Sequence, residues 1–525
     1  MADLPREGLS GALAPAQQSS YLYPTTLSLA HLFQVRRFFC LLGTFCALLR
    51  HIDTDAVPDI SHYGGIFMKK ITAIVIAAAL LLGLTACAGG ERNGQKQPSA
   101  SGAVKALAEA QYPKLEPYPR EDDYIDKDGQ WDDEKYMEDY RAWKAAVDAI
   151  SSDADHREDM ADFVKAVDEK LLAGGEGENR VCSPVNIYMA LAMLSETTEG
   201  VTREQILDLL GADSVEQVRA VAGDVWGNNY RDDGSITSLL SASVWLRENI
   251  EPNAETLKTL AQSYYADVYS GDTADLKMTE AMQKWINDHT GGLLEEQASE
   301  EKLEADTVMA LISAIYFKAG WQDEFYPRNN VTLPFHRAGG DVECEFMRCN
   351  EDALYRGEGF TAVVKPLAQS RSMYFILPNE GETTDGLLGS DGLWDFVMSR
   401  REWEDITYPI VHLSLPKFDT TSKTDLLPIL EELGMTDILS DKTADFTPLT
   451  AATEPFLSQA SHAARVKIDE QGVVAAAYTE IMTSDTAALE DPEEVDFTLD
   501  RPFVFVIAGA DGLPLFTGVI NDPTA

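Results

Sequence analysis

Ser183 and His462 are the residues that most invite a chemical reading, since a serine and a histidine are two thirds of a hydrolytic triad. The surroundings argue against it. No GxSxG elbow encloses Ser183, and "SPVNIY" reads as a helix start with Ser183 as its cap. The six cysteines, at 40, 46, 87, 182, 344 and 349, include no CxxC and no pair with zinc-ligand spacing. Cys344 and Cys349 lie in the strand-like "VECEFMRC", where an odd separation puts them on opposite faces. The eight histidines make no HxxxH or HExxH, so no metal site and no cofactor is expected. A net charge of −45 over 525 residues argues against a nucleic-acid binder, because such an acidic chain is ill suited to displace counterions from phosphates.

The other segment with chemical promise is "VKIDEQGVVAAAYTEIMTSDTAAL", residues 466–489. Its first part alternates as a strand. From Val473 to Leu489 it contains neither Pro nor Gly, so every residue can offer an amide to a sheet. Strand alternation puts Val473, Ala475, Ala477, Thr479, Ile481 and Thr483 on one face, uncharged until Asp485. The opposite face carries Glu480, so the Val473 face is the one expected to be buried. Small side chains at 475–477 suit entry into an already packed sheet.

The elements that must position these residues fall into four stretches. "MKKITAIVIAAALLLGLTACAGG" from Met68 has two lysines, an apolar run too short to span typically, and small residues before Cys87. It resembles a bacterial lipoprotein signal, with Cys87 as the lipidated residue tethering the chain to the outer side of a bacterial membrane. Residues 1–67 then precede the expected start and are left out of the fold; the alternative is a membrane-associated extension. Residues 88–154 read as a flexible acidic spacer, with one amphipathic helix (Tyr136, Tyr140, Trp143, Val147, Ile150) that packs on the main domain or serves as a stalk. Residues 155–525 read as one domain. A helical stripe (Met160, Phe163, Val164, Val167, Leu171) and the apolar helix from "VNIYMALAML" come early, and strand-like runs such as "ALISAIYF", "SMYFIL" and "PFVFVIAG" later, an α+β pattern.

An ordered series over 155–525 resembles the serpins: "NRVCSPVNIYMALAML", "WINDHTGGLL", "SAIYFKAGWQDEF", "FHRAGGDVECEFM", "MYFILPNEG", "LPKFDTTSKTDLLPILEELGMTDILSDKTADFTPL", "VKIDEQGVVAAA" and "DRPFVFVI" with "LFTGVINDP". The resemblance implies a fold of three β-sheets and about nine helices with an exposed reactive-centre loop before "DRPF". It implies a monomer that is not an enzyme but a suicide substrate. A target serine protease forms an acyl bond to the loop, which then inserts into the central sheet. Gly472, Val473, Val474, Ala475, Ala476 and Ala477 take the place of the hinge. Inhibitory members favour Thr or Ser where this chain has Val473 and an acid where it has Val474; both departures keep the segment uncharged and β-branched. Spacing from Gly472 puts the scissile bond near Thr486-Ala487, but the loop is longer than usual and leaves 482–489 open. The absence of Arg and Lys there argues against trypsin-like targets and for elastase-like or subtilisin-like ones; Leu489 would suit a chymotrypsin-like pocket. Ser183, Asn186, Ser313 and His462 take the place of a hydrogen-bonded cluster under the sheet. Asn186 and Ser313 stand where the family has serine and asparagine, an exchange expected to preserve the bonding. Trp321 matches the tryptophan near the loop's entry point, an ordinary core residue being the plain alternative. A non-inhibitory binding protein on the same fold, or an adhesive surface lipoprotein, are the rival functions.

Overall fold

The computed structural model describes residues 104–127, 129–175, 177–398, 406–451, 455–473 and 493–525. Eleven α-helices and three sheets are present among them, two helices more than expected because several are single short turns such as Thr384–Leu388. The α+β reading holds.

The largest sheet carries the functional elements. Its order is β1 (Lys105–Ala108), β5 (Ala266–Gly271), β4 (Thr237–Arg247), β6 (Met309–Gly320), β16 (Gly472–Val473), β15 (Gln459–Ile468) and β14 (Phe418–Asp425), with β3 (Arg231–Asp232) beside β4. A seven-stranded sheet runs β12 (Ile406–Thr407), β9 (Leu354–Gly357), β10 (Phe360–Leu367), β11 (Arg371–Pro378), β18 (Phe503–Ala508), β19 (Pro514–Ile520) and β2 (Arg180–Cys182). The third sheet has β17 (Glu494–Thr498), β13 (Ile410–Pro416), β8 (Gly340–Glu351) and β7 (Val331–Arg337). Cys344 and Cys349 both lie on β8 as free thiols, as does buried Cys182 on β2.

Three helices set up the site. α1 (Asp133–Asp148) is amphipathic, α2 (Arg157–Leu172) buries the stripe from Met160 to Leu171, and α3 (Pro184–Thr197) is buried on nearly all sides. α3 starts where Ser183 accepts from the Asn186 N–H, with Pro184 in the first turn, where a missing N–H costs nothing.

The expected spacer needs correction. From residue 104 onward it is part of the body. β1 pairs antiparallel with β5, and the Ala110 N–H donates to Asp267 Oδ1 at 2.7 Å. Tyr112 stacks on Trp226, Tyr230 and Tyr265 with ring centroids 5.7–6.0 Å away. Trp143 of α1 is buried and its indole N–H donates to Asp233 Oδ2 at 2.9 Å. Gly227 lets the chain after α1 pass, since a Cβ there would stand 1.9 Å from the Ile150 carbonyl oxygen. The physical reason is that a single aromatic anchor such as Tyr112, bringing a large apolar area and one polar handle, can dock the stretch ahead of α1 that has no periodic apolar face, while α1 packs through its own stripe with Trp143 and Val147 buried.

Candidate functional site

β6 and β15 are the central pair of the large sheet, and they are only partly zipped. They pair in parallel over five positions, Ala310–Ala314 with Gln459–Ala463. Above that, among the described residues, Ile315–Lys318 and Ala464–Lys467 have ladder partners only on their outer neighbours, β4 and β14. At the top the gap is closed by β16, antiparallel to both: Gly472 faces Gly320, Val473 faces Ala319, and Val473 also pairs with Ile468. The chain reaches this position through a tight turn, in which the Asp469 N–H donates to the Gly472 carbonyl and Asp469 Oδ1 accepts from the Gln471 N–H. Gly472 is required there, because a Cβ would lie 2.3 Å from the Ala319 carbonyl oxygen. Val473 is 1 % exposed and points into the core.

The entry turn is fixed from one side by Trp321, fully buried, whose indole N–H donates to the Asp469 carbonyl at 2.9 Å while its amide donates to that of Gln471. On the other side Lys417 bridges Glu470 at 2.7 Å and Glu345 at 3.0 Å, and Asn330 donates to both carboxylates. Burial pushes the Lys417 ammonium down, but the hydrogen bonds it donates to the two glutamates outweigh it and hold the group above its ordinary range. Neither Lys417 nor Glu470 was picked out by sequence reasoning. Both lie in quoted stretches, but a lysine and a glutamate 53 positions apart carry no local signal of meeting.

Below the gap, the remaining predicted residues come together. The Ser183 N–H donates to His462 Nε2 at 3.0 Å, Ser313 Oγ lies 3.4 Å from His462 Nδ1, and Asn186 Nδ2 donates to Ser313 Oγ at 2.6 Å. Since Nε2 must accept from a backbone amide, the imidazole proton sits on Nδ1. All four residues are buried, and burial lowers the His462 pKa to about 4, so the ring is neutral. Asn186 Oδ1 is left without a partner, a spare acceptor beneath the sheet. The row crosses from β6 (Ser313) to β15 (His462), so the two strands cannot part without breaking it. Cys87, Val474 to Ala477 and the Thr486-Ala487 bond lie outside the described residues.

The family model for serpin (serine protease inhibitor) matches residues 159–523. Neuroserpin of Mus musculus is 27 % identical over 372 residues, spanning 67 % of this chain and 88 % of the relative. Serpin-Z10 of Arabidopsis thaliana is 26 % identical, over 66 % of this chain and 92 % of its own length. Among solved structures, the thermophilic serpin tengpin in its native state superposes with a TM-score of 0.63 at 25 % identity, covering 72 % of this chain and 98 % of tengpin. Human thyroxine-binding globulin shares the fold at a TM-score of 0.62 and 22 % identity, over 70 % of this chain and 98 % of its own. A half-zipped central sheet, with a strand leading into it and a single family match across the whole domain, leads to one statement: this chain belongs to the serpin family.

Proposed function

We propose that the protein is a suicide-substrate inhibitor of serine proteases with elastase-like or subtilisin-like pockets, trapping the acyl-enzyme by inserting its loop between β6 and β15. The observation that carries this reading is β16, already antiparallel to both strands at the top of an unzipped gap. Continuing its register downward would set Ala475 between Phe317 and Val466, and Ala477 between Ile315 and Ala464. All four of those neighbours are buried, which fits the small, uncharged face of the loop. About a dozen inserted residues at roughly 3.3 Å each would carry a tethered protease on the order of 40 Å. At a net ~1 kcal/mol per ladder hydrogen bond they would release on the order of 10 kcal/mol. The Ser313–His462 contact acts as the latch that opens for the strand. The chain acts as a monomer, held by lipid on Cys87 at the outer face of a bacterial membrane.

The test is to mix the protein with pancreatic elastase, subtilisin, chymotrypsin and trypsin. A denaturant-resistant complex with elastase or subtilisin is expected, and mass spectrometry of the released C-terminal peptide locates the cut within 482–489. Cleavage of the loop with the protease left fully active would overturn the inhibitor reading in favour of a non-inhibitory binding protein.

A further inference from the structure

Residues 104–154 lie ahead of the stretch that matches the family, yet they build one wall of a cleft of about 600 Å³ in the same body. That volume is in the range of small-molecule sites. Tyr118, Tyr140 and Trp143 stand on the strap side; Asn228, Arg231 and Gln369 on the domain side. The aromatic row continues out of the cleft along α1. Tyr140 contacts Trp143 at 5.5 Å and Tyr136 at 6.1 Å, and Tyr136 contacts Trp131 at 5.0 Å. Trp131 is 42 % exposed, with one side of its ring against Tyr124 and Tyr136.

The domain wall carries unspent hydrogen-bonding capacity. Gln369 and Ser370, at φ +54° and +62°, form the tight turn of the β10–β11 hairpin, which positions the Gln369 side chain at the cleft. Gln369 Nε2 donates to Asp233 Oδ2, which leaves its buried Oε1 without a partner; Arg231 Nε is equally unpartnered. Charge narrows the ligand class. Lys144 and Arg231 face Asp148, Asp153 and Asp511, and Lys144 is already paired with Asp148 at 2.9 Å. No net positive charge is available for an anion, and the mostly polar lining offers little to an apolar ligand. Aromatic faces for C–H surfaces, with amide, hydroxyl and carboxylate groups between them, suit a neutral polyhydroxylated ring.

We propose that this cleft and the aromatic row leading from it bind a short neutral oligosaccharide, so that the strap gives the inhibitor a glycan-docking function independent of loop insertion. The test titrates the full chain with cellotriose, maltotriose, mannotriose and N,N′,N″-triacetylchitotriose, with inorganic sulfate and a heparin hexasaccharide as anionic comparators. Heat and tryptophan fluorescence are both read. Saturable one-to-one binding of at least one neutral trisaccharide is expected. Trp131→Ala and Tyr140→Ala, each first shown to keep the natural protein's thermal midpoint to within a few degrees, should each weaken it by about tenfold, matching the worth of an aromatic stacking contact, with protease inhibition unchanged. Absence of saturable binding by all four neutral sugars at millimolar concentration would overturn the proposal. So would tighter binding of the anionic comparators, or equal affinity in the two variants.

Discussion

His462 illustrates how much one buried side chain can decide. Its ring accepts from a backbone amide on one nitrogen and meets Ser313 on the other, so a second ring proton would destroy the first bond and strand a donor. With a folded pKa of about 4 against about 6.5 unfolded, the sign is fixed. Above pH ~6.5 the ring is neutral in both states and contributes no pH dependence. Between ~6.5 and ~4 only the unfolded chain takes up the proton, so stability falls with falling pH; below ~4 both states carry it and the loss stops. The total is about 3 kcal/mol. Denaturation midpoints across this window should therefore fall more steeply for the natural protein than for His462→Gln, whose amide can still accept from Ser183; parallel curves would refute the assignment. Gly472 is the second residue of this kind. Gly472→Ala would press a methyl against the Ala319 carbonyl, so we expect a loss of about 1–3 kcal/mol in urea unfolding. More loop cleavage per protease molecule inhibited should accompany it. An unchanged midpoint would mean that β16 is not seated in this gap.

At the level of elements, the register of β16 makes Val474 informative. One step below Val473, the inserted residue 474 would face Lys318 on β6 and Lys467 on β15, on the solvent side of the sheet. A carboxylate there would meet two cations, where valine meets none. Val474→Glu should therefore reduce the number of inhibitor molecules consumed per protease inactivated, by about twofold given an exposed pair worth ~0.5 kcal/mol. The gain should shrink in 0.5 M salt; a rise in consumption would show that the register is wrong. The same strands show what the sequence makes legible. β6, β11 and β18 are apolar runs bounded by turns, and they were readable because strand-like periodicity is local. The hydrogen-bonded row was readable through its resemblance, since Ser183 and His462 are 279 positions apart. The stripe of α1 was legible because its periodicity is local, but the stretch ahead of it was read as flexible because Tyr112 is an isolated anchor in acidic sequence and its partners Trp226, Tyr230 and Tyr265 lie far along the chain. Lys417 with Glu470 was invisible for the same reason: pairing between remote charges is a property of the fold alone.

For the molecule as a whole, β6 and β15 leave ladder positions above Ala314 and Ala463 without a partner strand among the described residues, beyond the two residues of β16. On the proposed mechanism, a cut anywhere in 482–489 would free the segment after Val473 to fill them, whether or not a protease is captured. The cleaved protein should then outlast the intact one on heating. A gain on the order of 10 kcal/mol corresponds to roughly 10–20 °C in thermal midpoint for a domain of this size, at a fixed scan rate. Elastase-treated and untreated protein can be compared by calorimetry, with Ala477→Arg as the control. On insertion its long charged side chain would be driven between Ile315 and Ala464, both buried, with no carboxylate provided for it. That variant should be cut at the same bond and gain nothing in stability. If the natural protein gained nothing either, β16 would be a closed end rather than the first step of a strand, and the sheet would be complete as it stands. If both gained equally, the stabilisation would come from somewhere other than this gap. Only a rise confined to the protein with the small, uncharged hinge face ties the sequence of 473–483 to the missing strand.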